Sequence, residues 1–304
     1  MPKGLWERVA ARCAGVGRRW RARILLLVAG CFSALPIACA PAAAKPTAGV
    51  VRQLDHILIA SSDAKELFFL LSETFQFPVA WPMTDYGNFA SGGVAVGNVN
   101  LEIVKDTGRA GAAGRVKSRW AGFALEPEPL RTSVPELDAR GIRHGTPAPF
   151  KSGLFTTRWT TVGLPEVSGD ASEVFLCEFA EDVAPRRRLL REQLQARGGG
   201  PLAVQSVREI VCGAREVTGM RSRWAKLLNP IPASGPGFWS IGAGPGIRVI
   251  EAESEGIQGL VIQVKSLEPA RRYLQERGLL EGGQTNSITL GGPLLEGLGI
   301  RLVE

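Results

Sequence analysis

The segments GIRVIE, at residues 246–251, and GIRLVE, at residues 299–304, are two copies of nearly one sequence. Each has the length and apolar content of a strand. A repeat of this kind indicates the architecture before local structure does, because a repeated segment folds as a repeated unit. The two copies predict two structural units that end on equivalent strands.

Two gap-free matches extend the repeat over the chain. GFAL at 122–125 matches GLVI at 259–262, 137 residues further on, and LDHI at 54–57 matches VREI at 207–210, 153 residues further on. Each unit begins with a β-rich run, continues through a helix and ends in short strands separated by glycine turns. The four units cover residues 50–106, 118–182, 203–252 and 257–304. We predict an α+β fold of four βαβββ modules, arranged as two paired-module domains.

The domain boundary is predicted from a basic helical stretch at 185–197 that ends in Gly198-Gly199-Gly200-Pro201. Glycine and proline runs of this kind end helices and mark linkers. We therefore expect a first domain at 50–183, a linker helix and glycine-rich hinge at 184–202, and a second domain at 203–304, each domain with its own core. The arginines of the stretch are expected to form a solvated helix face.

The N-terminal segment is typical of an export signal. A basic region at 1–23 precedes an uncharged apolar run at 24–40, and Ala42 and Ala44 fit the small-residue cleavage rule. We expect residues 1–44 to be a signal peptide and the mature protein to be periplasmic. Two alternatives stay open: a lipid on Cys31, and an uncleaved membrane anchor at 24–40.

The charge of the chain lies mostly in that leader. The formal net charge is +7, of which residues 1–23 contribute +6. The remaining near-neutral body has no general electrostatic reason to bind nucleic acid. Contact with a membrane is expected only through the leader, and a small molecule is the expected partner, with a homodimer as a further option.

The first half resembles a known family. LDHILIA at 54–60, a following helix, the glycine-rich region at 86–97 and the strand VNLEI at 99–103 together resemble the first module of the glyoxalase-like vicinal oxygen chelate superfamily, which includes bleomycin-resistance proteins and extradiol dioxygenases. VFLCEF at 174–179 is similar to the strand that closes the second module. With the four-unit repeat, the resemblance covers about 250 residues.

The resemblance implies a curved sheet around a pocket and a divalent metal ion, with Fe, Mn, Zn, Ni and Mg all compatible. The family's ligand positions fall on His56 in the first strand, Glu102 in the last strand of module one and Glu178 in the last strand of module two. The fourth position falls on Gly122, which has no side chain to offer. Three protein ligands would suit an open catalytic site.

The residues themselves give a partly independent argument. Glu102 and Glu178 lie in apolar runs, and a buried carboxylate must be protonated, paired or bound to a cation. Alternatively, either glutamate faces water or pairs with an arginine. His56 is from its pattern alone a core residue more often than a ligand. His144 is expected in a surface loop.

The second half contains no histidine. Glu209 aligns with His56, Ile250 with Glu102 and Gly259 with Gly122, so we expect no metal there. Its expected role is structural, as a lid, a dimer surface or a second apolar pocket.

Two functions follow as hypotheses. The first is metal-dependent isomerase, lyase or dioxygenase chemistry on a small molecule with neighbouring oxygens, in which Glu102 or Glu178 transfers a proton. The second is a metal-free module that binds or sequesters a small molecule. The absent ligand at Gly122 favours the second, and two otherwise unexplained buried glutamates favour the first.

Overall fold

The computed structural model describes residues 49–87, 89–106, 116–152, 156–169 and 172–304. The predicted signal peptide, its cleavage site, the lipid attachment at Cys31 and the anchor at 24–40 lie outside these ranges. Within them, no helix has the length and apolar character needed to cross a membrane. The described residues belong to one compact unit.

The first half forms a mixed sheet of eight strands in the order β2-β3-β4-β1-β5-β8-β7-β6. Its two central strands are antiparallel to each other, and each has a parallel partner on its other side. Its elements are β1 (Val51–Ser61), α1 (Ala64–Phe69) with a π-helical turn (Leu70–Thr74), β2 (Val79–Asp85), β3 (Ala90–Val96), β4 (Val99–Lys105), β5 (Ser118–Pro127), α2 (Leu130–Ala139), β6 (Ala148–Ser152), β7 (Thr156–Gly163) and β8 (Glu173–Phe179).

The second half forms a mixed sheet of seven strands in the order β10-β11-β9-β12-β15-β14-β13. A helix, α3 (Ala184–Ala196), connects the two halves. The second-half elements are β9 (Val204–Ala214), α4 (Val217–Leu228), β10 (Phe238–Trp239), β11 (Gly246–Glu251), β12 (Gly256–Val264), α5 (Leu267–Glu276), β13 (Leu280–Gln284), β14 (Ser287–Leu290) and β15 (Ile300–Val303).

The predicted fold class is confirmed: the chain is α+β, with two mixed sheets built from paired modules. The first GIR segment, at 246–251, forms β11, and the second, at 299–304, contains β15. Each strand lies parallel to the first strand of its own module. One module is shorter than expected. The module that begins with β9 has only two strands after its helix α4, namely β10 and β11, and β10 has two residues.

The two faces of the first sheet have different roles, because side chains alternate along a strand. Residues such as Ile57, Leu101 and Leu176 point to the side that carries the main core, which we call the core face. The opposite side, which we call the inner face, carries a small separate cluster. Its members are Leu58, Val104, Ala124, Phe175 and Cys177.

The main core is continuous across both halves, in contrast to the separate cores expected from the sequence. Buried residues of both sheets belong to one apolar cluster. At its centre, Phe123 of β5 stacks on Trp224 of α4 with ring centroids 6.0 Å apart and planes 12° apart. Burying one apolar surface between both halves makes the stability of each depend on the other.

Arg140 joins the halves by polar contacts. Its side chain, at the end of α2, donates to the backbone carbonyls of Lys226, Leu227 and Asn229 at the end of α4, at 3.0, 3.0 and 2.8 Å. Those carbonyls have no partner within their own helix, and a cation near a helix C-terminus is stabilising. Arg140 is 8% exposed, so these bonds are shielded from water.

We predict that Arg140→Met lowers the free energy of unfolding by about 2–4 kcal/mol, because it leaves buried carbonyls without donors. Urea unfolding followed by tryptophan fluorescence measures this. Arg143→Met is the control, since the Arg143 side chain is 78% exposed and its ion pair with Glu166 contributes at most about 1 kcal/mol. Two separate transitions in the unmodified protein would contradict the shared core.

Candidate functional site

The candidate site begins at an irregularity in β1. The register between β1 and β5 shifts between Leu54 and His56, and the two consecutive polar residues Asp55 and His56 are both buried there, at 3% and 6% exposure. Nδ1 of His56 lies 2.5 Å from Oδ2 of Asp55, and Nε2 lies 3.2 Å from Oε2 of Glu102 on the neighbouring strand β4. The imidazole is thus held between two carboxylates on the inner face.

The other oxygen of Asp55 is bound by Arg187 of α3. The same guanidinium binds Oε2 of Glu126 on β5, which also accepts a hydrogen bond from Nε2 of Gln53 at 2.8 Å. Burial lowers the pKa of Arg187 to about 10, which leaves it charged at neutral pH. The expectation of a solvated arginine face was therefore wrong for this residue, because α3 packs against the first sheet and turns Arg187 inward.

These contacts form one chain of ionisable groups across three strands and a helix: Glu126, Arg187, Asp55, His56 and Glu102. An imidazole can donate to carboxylates at both nitrogens only when it carries two protons. With one proton on the ring, one of the two contacts needs a protonated carboxyl or a cation. The arrangement can therefore hold a proton, or a metal ion, between His56 and Glu102.

Apolar rings surround His56 on the inner face. The ring centroid of Phe175 lies 5.9 Å away and that of Trp81 6.5 Å away, both edge to face. Near them, Cys177 belongs to the inner-face cluster, and burial followed by the nearby glutamates raises the pKa of its thiol, so it stays protonated. A weakly solvated site strengthens electrostatic interactions within it.

Four further rings connect the two edge hairpins of the first sheet. Tyr86 and Phe89, at the β2–β3 turn, contact Phe150 and Trp159 of β6 and β7, with centroid separations of 5.9–6.3 Å. Because these hairpins are at opposite edges of the sheet, the sheet curves around its inner face. Burial, and then the charge of Glu102, raise the pKa of the Tyr86 hydroxyl, which places this ring within electrostatic range of the site.

Glu178 does not join His56 and Glu102. Its Oε1 accepts a hydrogen bond from the backbone N–H of Leu130, at the start of α2, at 2.8 Å. Its neighbour Cys177 lies on the inner face, so alternation directs Glu178 to the core face. Among the residues that the structure describes, no three His, Cys, Asp or Glu side chains form a group that could hold a metal ion. The predicted three-residue cluster is therefore corrected to the pair His56 and Glu102.

The contact of Glu178 is repeated in the second half. Oε1 of Glu304 accepts a hydrogen bond from the N–H of Leu267, at the start of α5, at 2.7 Å. The first N–H groups of a helix have no partner within the helix and favour a negative charge. Both glutamates therefore stabilise a helix start, and this accounts for Glu178 without a metal.

The backbone at Gly122 leaves no room for a residue with a metal-binding side chain. Its φ is +147°, and a Cβ there would lie 2.0 Å from the backbone oxygen of Glu173 on β8. His144 is also outside the site. It lies in the loop after α2, with Nε2 3.2 Å from Asp138 and Nδ1 2.8 Å from the carbonyl oxygen of Gly145.

The second half has an ion pair at the equivalent position. His56 is opposite Asn100 in the register of β1 and β4, and Glu102 follows two residues later. In β9 and β11, Glu209 is opposite Gly246, and Arg248 follows two residues later. Arg248, rather than the expected Ile250, therefore takes the place of Glu102. Its Nε and Nη2 lie 2.8 and 2.7 Å from Oε2 of Glu209.

We predict that Arg187→Met lowers the free energy of unfolding by about 2–4 kcal/mol at pH 7, because the buried Asp55 carboxylate loses its cation, whereas Glu126 keeps Arg52 at 3.8 Å. Arg188→Met is the matched control on the exposed face of the same helix and should change stability by no more than about 0.5 kcal/mol. Equal effects of the two variants in urea unfolding would show that Arg187 is not part of a buried ion pair.

We predict that Glu178→Ala and Glu304→Ala each cost about 1 kcal/mol of stability, as the loss of a helix-capping side chain does. Glu178→Gln should cost less, since its amide oxygen still accepts from Leu130. Chemical unfolding of the three variants tests this. A much larger loss for Glu178→Ala than for Glu304→Ala would assign Glu178 a further role.

The sequence matches no protein-family model and no curated protein. Its structure is similar to homoprotocatechuate 2,3-dioxygenase from Arthrobacter globiformis, with TM-score 0.58 and 9% identity over 87% of this chain and 83% of that one. It is also similar to the 2,3-dioxygenase LapB from Pseudomonas sp. KL28 (TM-score 0.56, 12% identity, 84% and 92% covered) and to a variant of 4-hydroxymandelate synthase from Streptomyces coelicolor (0.55, 13%, 84% and 92%). At these identities the likeness is one of fold. The chain has the paired-module fold of these proteins.

Proposed function

We propose that the first half acts on a small molecule with neighbouring oxygen atoms, bound at the inner face beside His56 and Glu102. One observation supports this above the others: a buried imidazole lies between two carboxylates on the side of the sheet that a ring-lined curve encloses. Structural roles do not need that arrangement, because the second half keeps its fold with a simple ion pair at the same register.

The donor pair suits two ligands of one divalent ion. Two bonds of about 2.1 Å that meet at about 90–110° place their donor atoms about 3.0–3.4 Å apart, and Nε2 of His56 lies 3.2 Å from Oε2 of Glu102. Asp55 at Nδ1 is the outer carboxylate that a metal-bound histidine commonly has. The protein offers two ligands here, so substrate oxygens or water would complete the set. Fe, Mn, Zn, Ni and Mg are all compatible with nitrogen and oxygen donors.

A bound divalent ion would supply Lewis-acid polarisation of a substrate oxygen. The protein's own part is to position and to transfer protons. Asp55, held by Arg187, fixes the orientation of the His56 ring, and Glu102 accepts a proton from the substrate. Phe175 and Trp81 keep water from the pair. Among isomerase, lyase and dioxygenase reactions, the dioxygenases among the similar structures favour the last.

A second function, metal-free binding of an apolar or aromatic molecule, is favoured by the missing ligands. Gly122 has no side chain, and the Glu178 carboxylate accepts a hydrogen bond from the start of α2. In either case we propose that residues 1–44 direct export and that the protein acts in the periplasm. The second half supports the first through the shared core.

Titration with Mn²⁺, Zn²⁺ and Ni²⁺ by calorimetry separates the two functions. We predict that the protein binds at least one of these ions and that Glu102→Gln weakens binding by about tenfold or more, because a charged ligand is lost. Glu178→Gln is the matched control and should change the affinity by no more than about twofold. Equal weakening by both variants would contradict the site, and no binding by the unmodified protein would favour the metal-free function.

A further inference from the structure

A small cleft lies at the end of the inner face where α3 covers the first sheet. Its polar lining comes from Asp55, Asn100, Arg187 and Arg191, together with the β3–β4 turn at Gly97 and Asn98. Asn100 is the residue opposite His56 in the register of β1 and β4, and Asp55 is the residue that holds the His56 ring. The cleft therefore adjoins the candidate site and is distinct from the space between His56 and Glu102.

The two arginines of the cleft differ in their partners. Arg187 forms ion pairs with Asp55 and Glu126. Nε of Arg191, one helical turn further along α3, is buried and has no hydrogen-bond partner in the described part of the chain. A charged donor that is shielded from water without an acceptor is unfavourable, so this position favours a ligand that brings an acceptor.

The chemistry of the lining selects the class of acceptor. A guanidinium presents a planar fork that matches the two oxygens of a carboxylate. The Asn98 amide is not available, because it bonds to the backbone of Val207 and to the carbonyl of Ala243. Asp55 at the wall disfavours a doubly charged anion such as phosphate. A singly charged carboxylate meets these conditions best.

We propose that Arg191, with Asn100 beside it, forms a carboxylate-binding site in this cleft. A carboxylate there lies next to the residues that position His56. If the proposed function is correct, the carboxylate belongs to the small molecule itself and anchors it with its reacting oxygens toward His56 and Glu102. The binding of a free carboxylate does not depend on that function.

Thermal unfolding in sodium acetate, against sodium chloride at the same ionic strength, tests the site. At about ten times its Kd, acetate should raise the Tm by about 3 °C. Arg191→Gln should abolish this difference, whereas the control Arg188→Gln on the same helix should keep it. An equal rise in acetate and chloride, or a rise that persists in Arg191→Gln, would overturn the proposal. Should Arg191→Gln not fold, Arg191→Lys, which keeps the charge but lacks the fork, should bind acetate about tenfold more weakly.

NMR of the imidazole groups tests whether the carboxylate is a free anion or part of the small molecule. The histidine signals are simple to assign because the chain contains two histidines. Benzoate carries its carboxylate on an aromatic ring, which the anchoring role requires to lie beside His56. It should shift the His56 signals and leave those of His144 unchanged, and acetate should shift His56 less. Stabilisation by acetate without a benzoate effect on His56 would support a free-anion site and contradict the anchoring role. If acetate does not raise the Tm of the unmodified protein although that protein binds a metal ion, the carboxylate site alone is contradicted and the proposed function stands.

Discussion

The contact of Arg187 with Asp55 and Glu126 is the constraint on which the first half depends. It joins α3, β1 and β5, because one guanidinium neutralises the carboxylates of Asp55 and Glu126 together. Burial of a carboxylate such as Asp55 is unfavourable unless a cation compensates it. With that compensation, Asp55 can hold Nδ1 of His56 and present Nε2 to Glu102. The helix that connects the two halves is thus also part of the site.

The two halves show how one framework carries different chemistry. Each places a first strand beside the last strand of its module in parallel register, and each ends the later module with a glutamate that stabilises a helix start. Between these shared features, the first half has His56 with Glu102 and the second has Glu209 with Arg248. An ion pair whose charges are already satisfied has little tendency to bind a cation. The difference of two side chains separates a candidate reactive site from a structural contact.

The repeats were sufficient to predict the fold, because matching segments at constant spacing imply matching modules. The meeting of His56 and Glu102 was expected from the resemblance to the glyoxalase-like superfamily, whose ligand positions fall on the two strands that pair within the first module. Glu178 was expected beside His56 but lies on the opposite face of the sheet. Strand alternation indicates this once Cys177, one position earlier in β8, is known to lie on the inner face. Arg187 was missed because a run of arginines on a helix gives no indication of which side chain turns inward. The shared core depends on contacts such as Phe123 with Trp224, which no local pattern encodes.

The most direct test of the central claim, that His56 and Glu102 form one metal-binding pair, is an anomalous difference map from crystals of the protein soaked in Mn²⁺. The geometry predicts one peak about 2.0–2.3 Å from Nε2 of His56 and from an oxygen of Glu102, with Glu178 still bonded to the N–H of Leu130. A peak at Glu178 or beside Glu209, or no peak near His56, would contradict the claim.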